Sequence, residues 1–326
     1  LPAERGVVPA DPARGGGAAT SSFADPAGAP SGLPGPLPPL TIGPRTFDWG
    51  ARTYVMGILN VTPDSFSGDG LLGDGHPAGG DPVEAAVATA IRMAAEGADL
   101  LDIGGESTRP GHAPVPEAEE SARVVPVIAA LRSALPAMPL SVDTTKPSVA
   151  AAALDAGAHL INDVWGVADD DALARLAAER GVPLVLMHNR AEARYTALLA
   201  EIVADLQRAV DRAVAAGVPR ERLIVDPGFG FGKAPEHNLA LLEDLAVLHV
   251  LGLPILLGTS RKSTLGKVLD LPPAERVEAT VATTVLAAAS GVDIVRVHDV
   301  LANVRAARLA DAVVRGWRPD GWEEAR

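Results

Sequence analysis

From Tyr54 onward, short runs of apolar residues alternate with longer stretches in which apolar positions recur every three to four residues. The short runs read as buried strands and the longer ones as amphipathic helices. The pair repeats eight times. Strands are expected near 54–60, 100–103, 140–143, 160–163, 183–187, 223–226, 255–257 and 294–298, and helices over 82–96, 116–133, 147–156, 172–180, 195–216, 236–251, 274–290 and 301–315. Gly97, Gly157, Gly181, Gly217, Gly252 and Gly291 each stand just past a helical pattern, and Pro82, Pro116 and Pro147 stand near helix starts. Glycine after a helix and proline at its first turn are the expected punctuation.

A strand–helix rhythm of this kind implies parallel strands with helices outside, and eight units in about 260 residues predict a single α/β (β/α)8 TIM barrel. A doubly wound open sheet is the alternative. It would usually carry a glycine-rich nucleotide loop after its first strand, and neither G-x-G-x-x-G nor a P-loop is present. Residues 1–45 are rich in Pro, Gly, Ala and Ser with few large apolar groups, so they are expected to form a disordered tail ahead of a barrel domain over 46–326. Phe47 and Trp49 are expected to begin the folded part as a short hairpin covering the barrel's bottom.

Most of the strands end on polar residues. These are Asn60, the Gly104 to Arg109 turn, Asp143, Asn162 with Asp163, His188, Asp226, the Ser260-Arg261-Lys262 turn, and Arg296 with His298. One such residue could simply cap the following helix, but eight ends together point to the carboxyl-terminal face where barrels carry chemistry. In IVRVHDV, alternation puts Arg296 and His298 inside the mouth and Val295 and Val297 against the helices. A buried guanidinium requires an anion, either Asp143 or Asp226 as a structural pair or an anionic ligand. GTSRKST sets two cations among hydroxyls near the place where barrels bind phosphate. In DPGFGFGK, Asp226 beside Phe229 and Phe231 suits a flat heterocycle that donates hydrogen bonds, or two rings that plug the barrel top. The loops over 61–81 and 104–116 exceed the usual length of about 2–6 residues and are expected to act as lids bearing Asp64, Phe66 and Arg109.

Composition narrows the partners. With 28 basic and 41 acidic residues the net charge is −13, which argues against a nucleic-acid surface or anionic lipid. There is no Cys, so disulfides, zinc thiolate sites and cysteine nucleophiles are excluded. No apolar run approaches the roughly 20 residues of a membrane span, and the N-terminus lacks the plan of a signal peptide, so a cytoplasmic location is expected. Lys occurs only at 146, 233, 262 and 267 in a chain that otherwise uses Arg. Lys262, between hydroxyls at a strand end, is the one hardest to treat as a surface charge, whereas the other three could lie exposed near helix ends.

The strings MGILNVTPDSFS, DIGGESTRPG, SVDTTKP, GAHLINDV, VPLVLMH, DPGFGFGK, GTSRKS and IVRVHDV, in this order from about Tyr54 to Arg315, together resemble the dihydropteroate synthase family. The resemblance implies condensation of 7,8-dihydropterin-6-ylmethyl diphosphate with 4-aminobenzoate, giving 7,8-dihydropteroate and pyrophosphate. It implies that Asp143, Asn162, Asp226, Phe231 and Lys262 hold the pterin, and that Asn60, Arg296 and His298 hold the diphosphate. Asn60 would also be a Mg2+ ligand, and Phe66, Thr108, Arg109, Pro110, Ser260 and Arg261 would frame the aminobenzoate pocket, where sulfonamides compete. Asp143, Lys262, Arg296 and His298 are the expected catalytic group, and a homodimer is the expected assembly. Two departures stand out: the first loop reads Phe66-Ser67-Gly68-Asp69-Gly70 where the family has Phe-Ser-Asp-Gly-Gly, and the loop after His188 is short. They leave room for a non-catalytic pterin-binding paralogue. The related methyltetrahydrofolate methyltransferase barrels share the pterin-reading acids.

Overall fold

Two short antiparallel strands, β1 (Leu40–Ile42) and β2 (Arg45–Phe47), are the first elements among the described residues. The computed structural model describes residues 37–62, 81–106, 114–166, 171–319 and 321–322, all within the unit Pro34–Arg326. The hairpin begins earlier than the composition suggested. Leu40 and Ile42 fall inside the stretch read as tail, yet both are buried with Phe47, Trp49 and Tyr54. Three-residue strands in a proline-rich setting carry too little periodic signal to be seen; what orders them is the apolar barrel end they cover.

Eight parallel strands follow: β3 (Tyr54–Asn60), β4 (Leu100–Gly104), β5 (Leu140–Asp143), β6 (Leu160–Asp163), β7 (Leu184–Met187), β8 (Leu223–Asp226), β9 (Leu256–Leu257) and β10 (Ile294–Val297). Their order is β8-β7-β6-β5-β4-β3-β10-β9. A single parallel bridge, Val225 to Ile255, joins β8 to β9, so the sheet forms a nearly closed barrel. This is the expected fold.

Alternation along the strands sorts side chains into two layers. Val55, Leu101, Ile161, Leu184, Val225, Leu257 and Val295 face the helices. Met56, Leu100, Leu160, Val185, Ile224, Leu256 and Ile294 fill the lower half of the interior, sealed from below by the hairpin. Above that plug the inward positions become polar: Asp102, Ser141, Asp143, Asn162 and Asp226 are buried, and Arg296 is partly so. The interior is therefore a packed apolar floor carrying a charged upper layer.

Helices lie between the strands, and three differ from the periodic reading. The stretch 236–251 divides into a helix, Pro235–Glu243, and a 3-10 segment, Leu245–Leu251, with Asp244 outside helical geometry at the break (φ −133°, ψ 54°). The stretch 274–290 becomes a 3-10 turn, Pro273–Glu275, and a helix, Val277–Ala289. An additional helix, Ser263–Leu269, follows the SRK turn and stops at Asp270, whose φ is +54°. Seven residues are too few for a 3.6-residue period to register. The helix expected from residue 195 starts at Leu198, and no helix of the described residues is long and apolar enough to cross a membrane.

Candidate active site

Arg296 is the centre of the polar layer. On β10 it shares a face with Ile294, which is buried in the floor beneath it. Its Nε donates to Asp102 Oδ2 at 2.6 Å and its Nη2 to Asp143 Oδ2 at 2.6 Å. Asn162 Nδ2 donates to the same Asp102 oxygen at 2.9 Å. The guanidinium thus takes the structural pairing with Asp143 that its burial allowed, with Asp102 as a second acid and without Asp226. Nη1 makes no hydrogen bond among the described residues.

Asp102 is the residue the sequence reading missed. It lies in mid-strand, two residues before the glycine turn that drew attention. The alternation argument that placed Arg296 inward applies equally to Leu100, Asp102 and Gly104, and would have found it. Asp102 Oδ1 and Asp143 Oδ1 are buried without a partner among the described residues. Both are acceptors for which the described residues supply no donor. Burial pushes the Asp143 carboxyl up to about 7; Arg296 pulls against that, while Asp102 adds to it.

Asp226, at the end of β8, accepts from the Gly228 N–H at 2.7 Å. Burial raises its pKa against the opposing pull of Lys262 and that N–H. Gly228 has φ +68°, and a Cβ there would lie 1.8 Å from His188 O, so the turn after Asp226 requires glycine. The two phenylalanines of this turn separate. Phe229 is fully buried in the layer beneath the helices. Phe231 remains at the mouth with Lys262 Nζ 4.2 Å from its ring centroid, so neither reading of the pair as a unit holds.

Lys262 also donates to Phe229 O. Burial and Arg296 depress its pKa to about 7, opposed by Asp226 and Asp143. Ser260 Oγ lies 2.9 Å from His298 Nδ1 and accepts the His298 backbone N–H at 3.1 Å. Arg261, at φ +59°, forks onto Asp299 through Nη2 at 2.8 Å and Nε at 3.2 Å. Asn60 is half-buried at the end of β3, in register with Gly104. Phe66, Thr108, Arg109, Pro110, Asp64 and Asp69 lie outside the described residues.

Two other strand-end groups are engaged elsewhere. His188 contacts Asp205 Oδ2 through Nε2 at 3.1 Å and Lys233 Nζ through Nδ1 at 2.8 Å. Burial lowers His188 to about 4 and Lys233 to about 7. Lys146 pairs with Glu106 and Glu120, so Lys267 is the one lysine of the three that is exposed near a helix end. Asp163 accepts from the Trp165 N–H at 2.9 Å.

A polar layer with two buried carboxylate oxygens that have no partner among the described residues, and with Arg296 and Lys262 beside them, suits a flat donor-rich ring that carries an anionic group. The pterin binding enzyme profile matches residues 56–298. The dihydropteroate synthase of Clostridium beijerinckii is 49% identical over 277 residues, covering 85% of this chain and 100% of the relative. The Xanthomonas albilineans dihydropteroate synthase with 4-aminobenzoic acid superposes with a TM-score of 0.79 at 45% identity, covering 87% of this chain and 100% of that one. The same enzyme in complex with 7,8-dihydropteroate gives a TM-score of 0.76 at 44% identity, covering 86% and 100%. The chain therefore belongs to the pterin binding enzymes, and among them to the dihydropteroate synthase family.

Proposed function

We propose that the protein condenses 7,8-dihydropterin-6-ylmethyl diphosphate with 4-aminobenzoate, releasing pyrophosphate and 7,8-dihydropteroate. The observation that carries this reading is the Arg296 fork onto Asp102 and Asp143, within a polar layer that also holds Asn162, Asp226 and Lys262. Asp143 and Asp226 accept the ring N–H groups, Asn162 adds an amide, and Phe231 with Lys262 borders the ring face. Nη1 of Arg296, His298 and Asn60 receive the diphosphate.

An aryl amine is a weak nucleophile, so the easier route expels pyrophosphate first and lets the amine attack a resonance-stabilised pterin cation. The charge leaving on pyrophosphate meets Arg296 and His298, which act as fixed electrostatic partners and need little reorganisation. The cation left behind sits over the carboxylates of Asp143 and Asp226. Ser260 and Arg261 flank the side from which the amine approaches, with Phe66, Thr108, Arg109 and Pro110 completing that pocket. No covalent enzyme intermediate is required.

Mg2+ fits this arrangement by its donor chemistry. Among the described residues no group of three or more His, Asp or Glu is arranged to hold a metal. Mg2+ commonly takes one or two protein oxygens and completes its shell with water and substrate phosphate, and Asn60 supplies one such amide oxygen. When bound there the ion supplies Lewis-acid neutralisation of the diphosphate.

A diphosphate ester does not cross membranes unaided, which supports a cytoplasmic enzyme. A homodimer is supported by the outward faces of the helices Val277–Ala289 and Val300–Val314, where Val285, Leu286, Leu301, Leu309 and Val313 are all exposed. The activity is tested by supplying both substrates with Mg2+ and measuring pyrophosphate and dihydropteroate. Product formed in equal amounts supports the reading, and tight pterin binding without product would replace it with the non-catalytic one.

A further inference from the structure

The turn that presents Ser260, Arg261 and Lys262 closes on itself through one backbone hydrogen bond, Lys262 N–H to Thr259 O at 3.2 Å, and takes further support from outside. Arg261 has φ +59°, a conformation that side chains other than glycine rarely adopt, and something outside the turn must fix it. Besides Asp299, which takes the Arg261 side chain, and His298, whose N–H bonds Ser260 Oγ, fixing groups come from the helix Val277–Ala289 and the residue before it. Thr283 Oγ1 lies 2.6 Å from Thr259 Oγ1. Thr280 Oγ1 accepts the Arg261 N–H at 3.4 Å while donating to Arg276 O at 2.9 Å. Arg276 Nη1 donates to Arg261 O at 2.8 Å and to Lys262 O at 3.2 Å, and its Nε and Nη2 hold Leu271 O at 2.9 and 2.7 Å.

Among the described residues every hydrogen bond of the Arg276 side chain goes to a main-chain carbonyl, and it makes no ion pair. A planar fork reaching carbonyls on both sides of a short helix holds backbone shape; a lysine ammonium, a single point of charge, cannot reproduce it. Room for it is provided by Gly266, where a Cβ would lie 2.0 Å from Arg276 Nη2. Two positions distant in sequence thus serve one guanidinium.

We propose that Arg276, seated against Gly266, is a positioning residue that fixes the pose of the Ser260-Arg261-Lys262 turn for catalysis. This rests on the synthase reading above, under which that turn meets both the aminobenzoate and the pterin. Misplacing reacting groups by about 1 Å can cost on the order of 10²-fold in rate, so the loss should appear in turnover before it appears in folding.

The test combines steady-state kinetics, thermal unfolding and amide hydrogen exchange on the wild type, Arg276→Ala, Arg276→Lys, Gly266→Ala and the Arg276→Ala/Gly266→Ala double variant. The expected result is a loss of about 10- to 10²-fold in kcat/KM for aminobenzoate in each single variant. The double variant should be no worse than Arg276→Ala, and faster exchange should be confined to residues 259–263. Wild-type kinetics in Arg276→Ala overturns the proposal. So does a loss that is additive in the double variant with faster exchange across the whole barrel, which would mark Arg276 as merely structural. If the wild type itself releases no pyrophosphate, the synthase reading fails, and exchange still decides: faster exchange confined to the turn upholds the positioning, and unchanged exchange overturns it.

Discussion

At the residue scale the site depends on how one guanidinium is shared. Arg296 has two nitrogens on Asp102 and Asp143, and the proposed reading gives its third to the diphosphate. Arg296→Ala should therefore lower kcat/KM for the pterin diphosphate by on the order of 10²- to 10³-fold. It should weaken a pterin lacking the diphosphate by only about tenfold, through the loosened Asp143; equal losses, compared by kinetics and calorimetry, would contradict the role. Lys262 sets a pH dependence. With its pKa depressed to about 7 by burial and Arg296, it loses its ammonium as pH rises through that value. The kcat/KM for the pterin diphosphate should fall on the alkaline side, and Lys262→Arg should abolish that limb while lowering the plateau. The same depression means that an unfolded chain keeps a proton up to about 10.5 that the folded one has released. This group therefore makes stability rise with pH between about 7 and 10.5, and Lys262→Met should flatten that slope in urea unfolding. Arg296, His298, Asn162 and Asp226 were legible because each ends a strand or alternates inward. Asp102 hid in mid-strand, and the choice between ligand and carboxylates for Arg296 depends on which strands are neighbours, which no local pattern encodes.

At the element scale, eight strands could be read to within a residue or two because six of the apolar runs follow a helix-ending glycine and most stop at a polar strand end. Elements set by tertiary contact could not. The hairpin from Leu40, the helix Ser263–Leu269 and the break at Asp244 carry too few residues for a period, and the pair Phe229 and Phe231 shares one motif but enters two layers. The DPGFGFGK turn shows what holds such a segment. Asn238, buried on the helix Pro235–Glu243, accepts the Gly230 N–H at 2.7 Å and donates to Thr264 Oγ1 at 2.9 Å. Asn238→Leu leaves that N–H and hydroxyl without partners and should cost about 1–3 kcal/mol. Chemical denaturation measures this. The KM for the pterin substrate should rise in parallel, because the same turn carries Phe231.

At the scale of the whole molecule, the barrel is divided into a sealed floor and a charged chamber. Ile42 and Phe47 are fully buried against that floor, so Phe47→Ala should lower stability by about 3–5 kcal/mol. At temperatures where it stays folded, its kcat should be nearly unchanged, because the hairpin's core packs on the apolar floor residues Met56, Leu100, Leu160 and Ile294. The apolar outward face of the last two helices predicts that Leu309→Glu with Val313→Glu converts a dimer to monomers in sedimentation analysis, and an unchanged mass would remove that surface as the contact. The central claim is the condensation itself. Its most direct test is pyrophosphate release by the purified protein with Mg2+ and 7,8-dihydropterin-6-ylmethyl diphosphate, measured with and without 4-aminobenzoate. The account predicts sustained turnover that requires aminobenzoate and yields dihydropteroate in equal amount; pterin binding with no aminobenzoate-dependent release would contradict it.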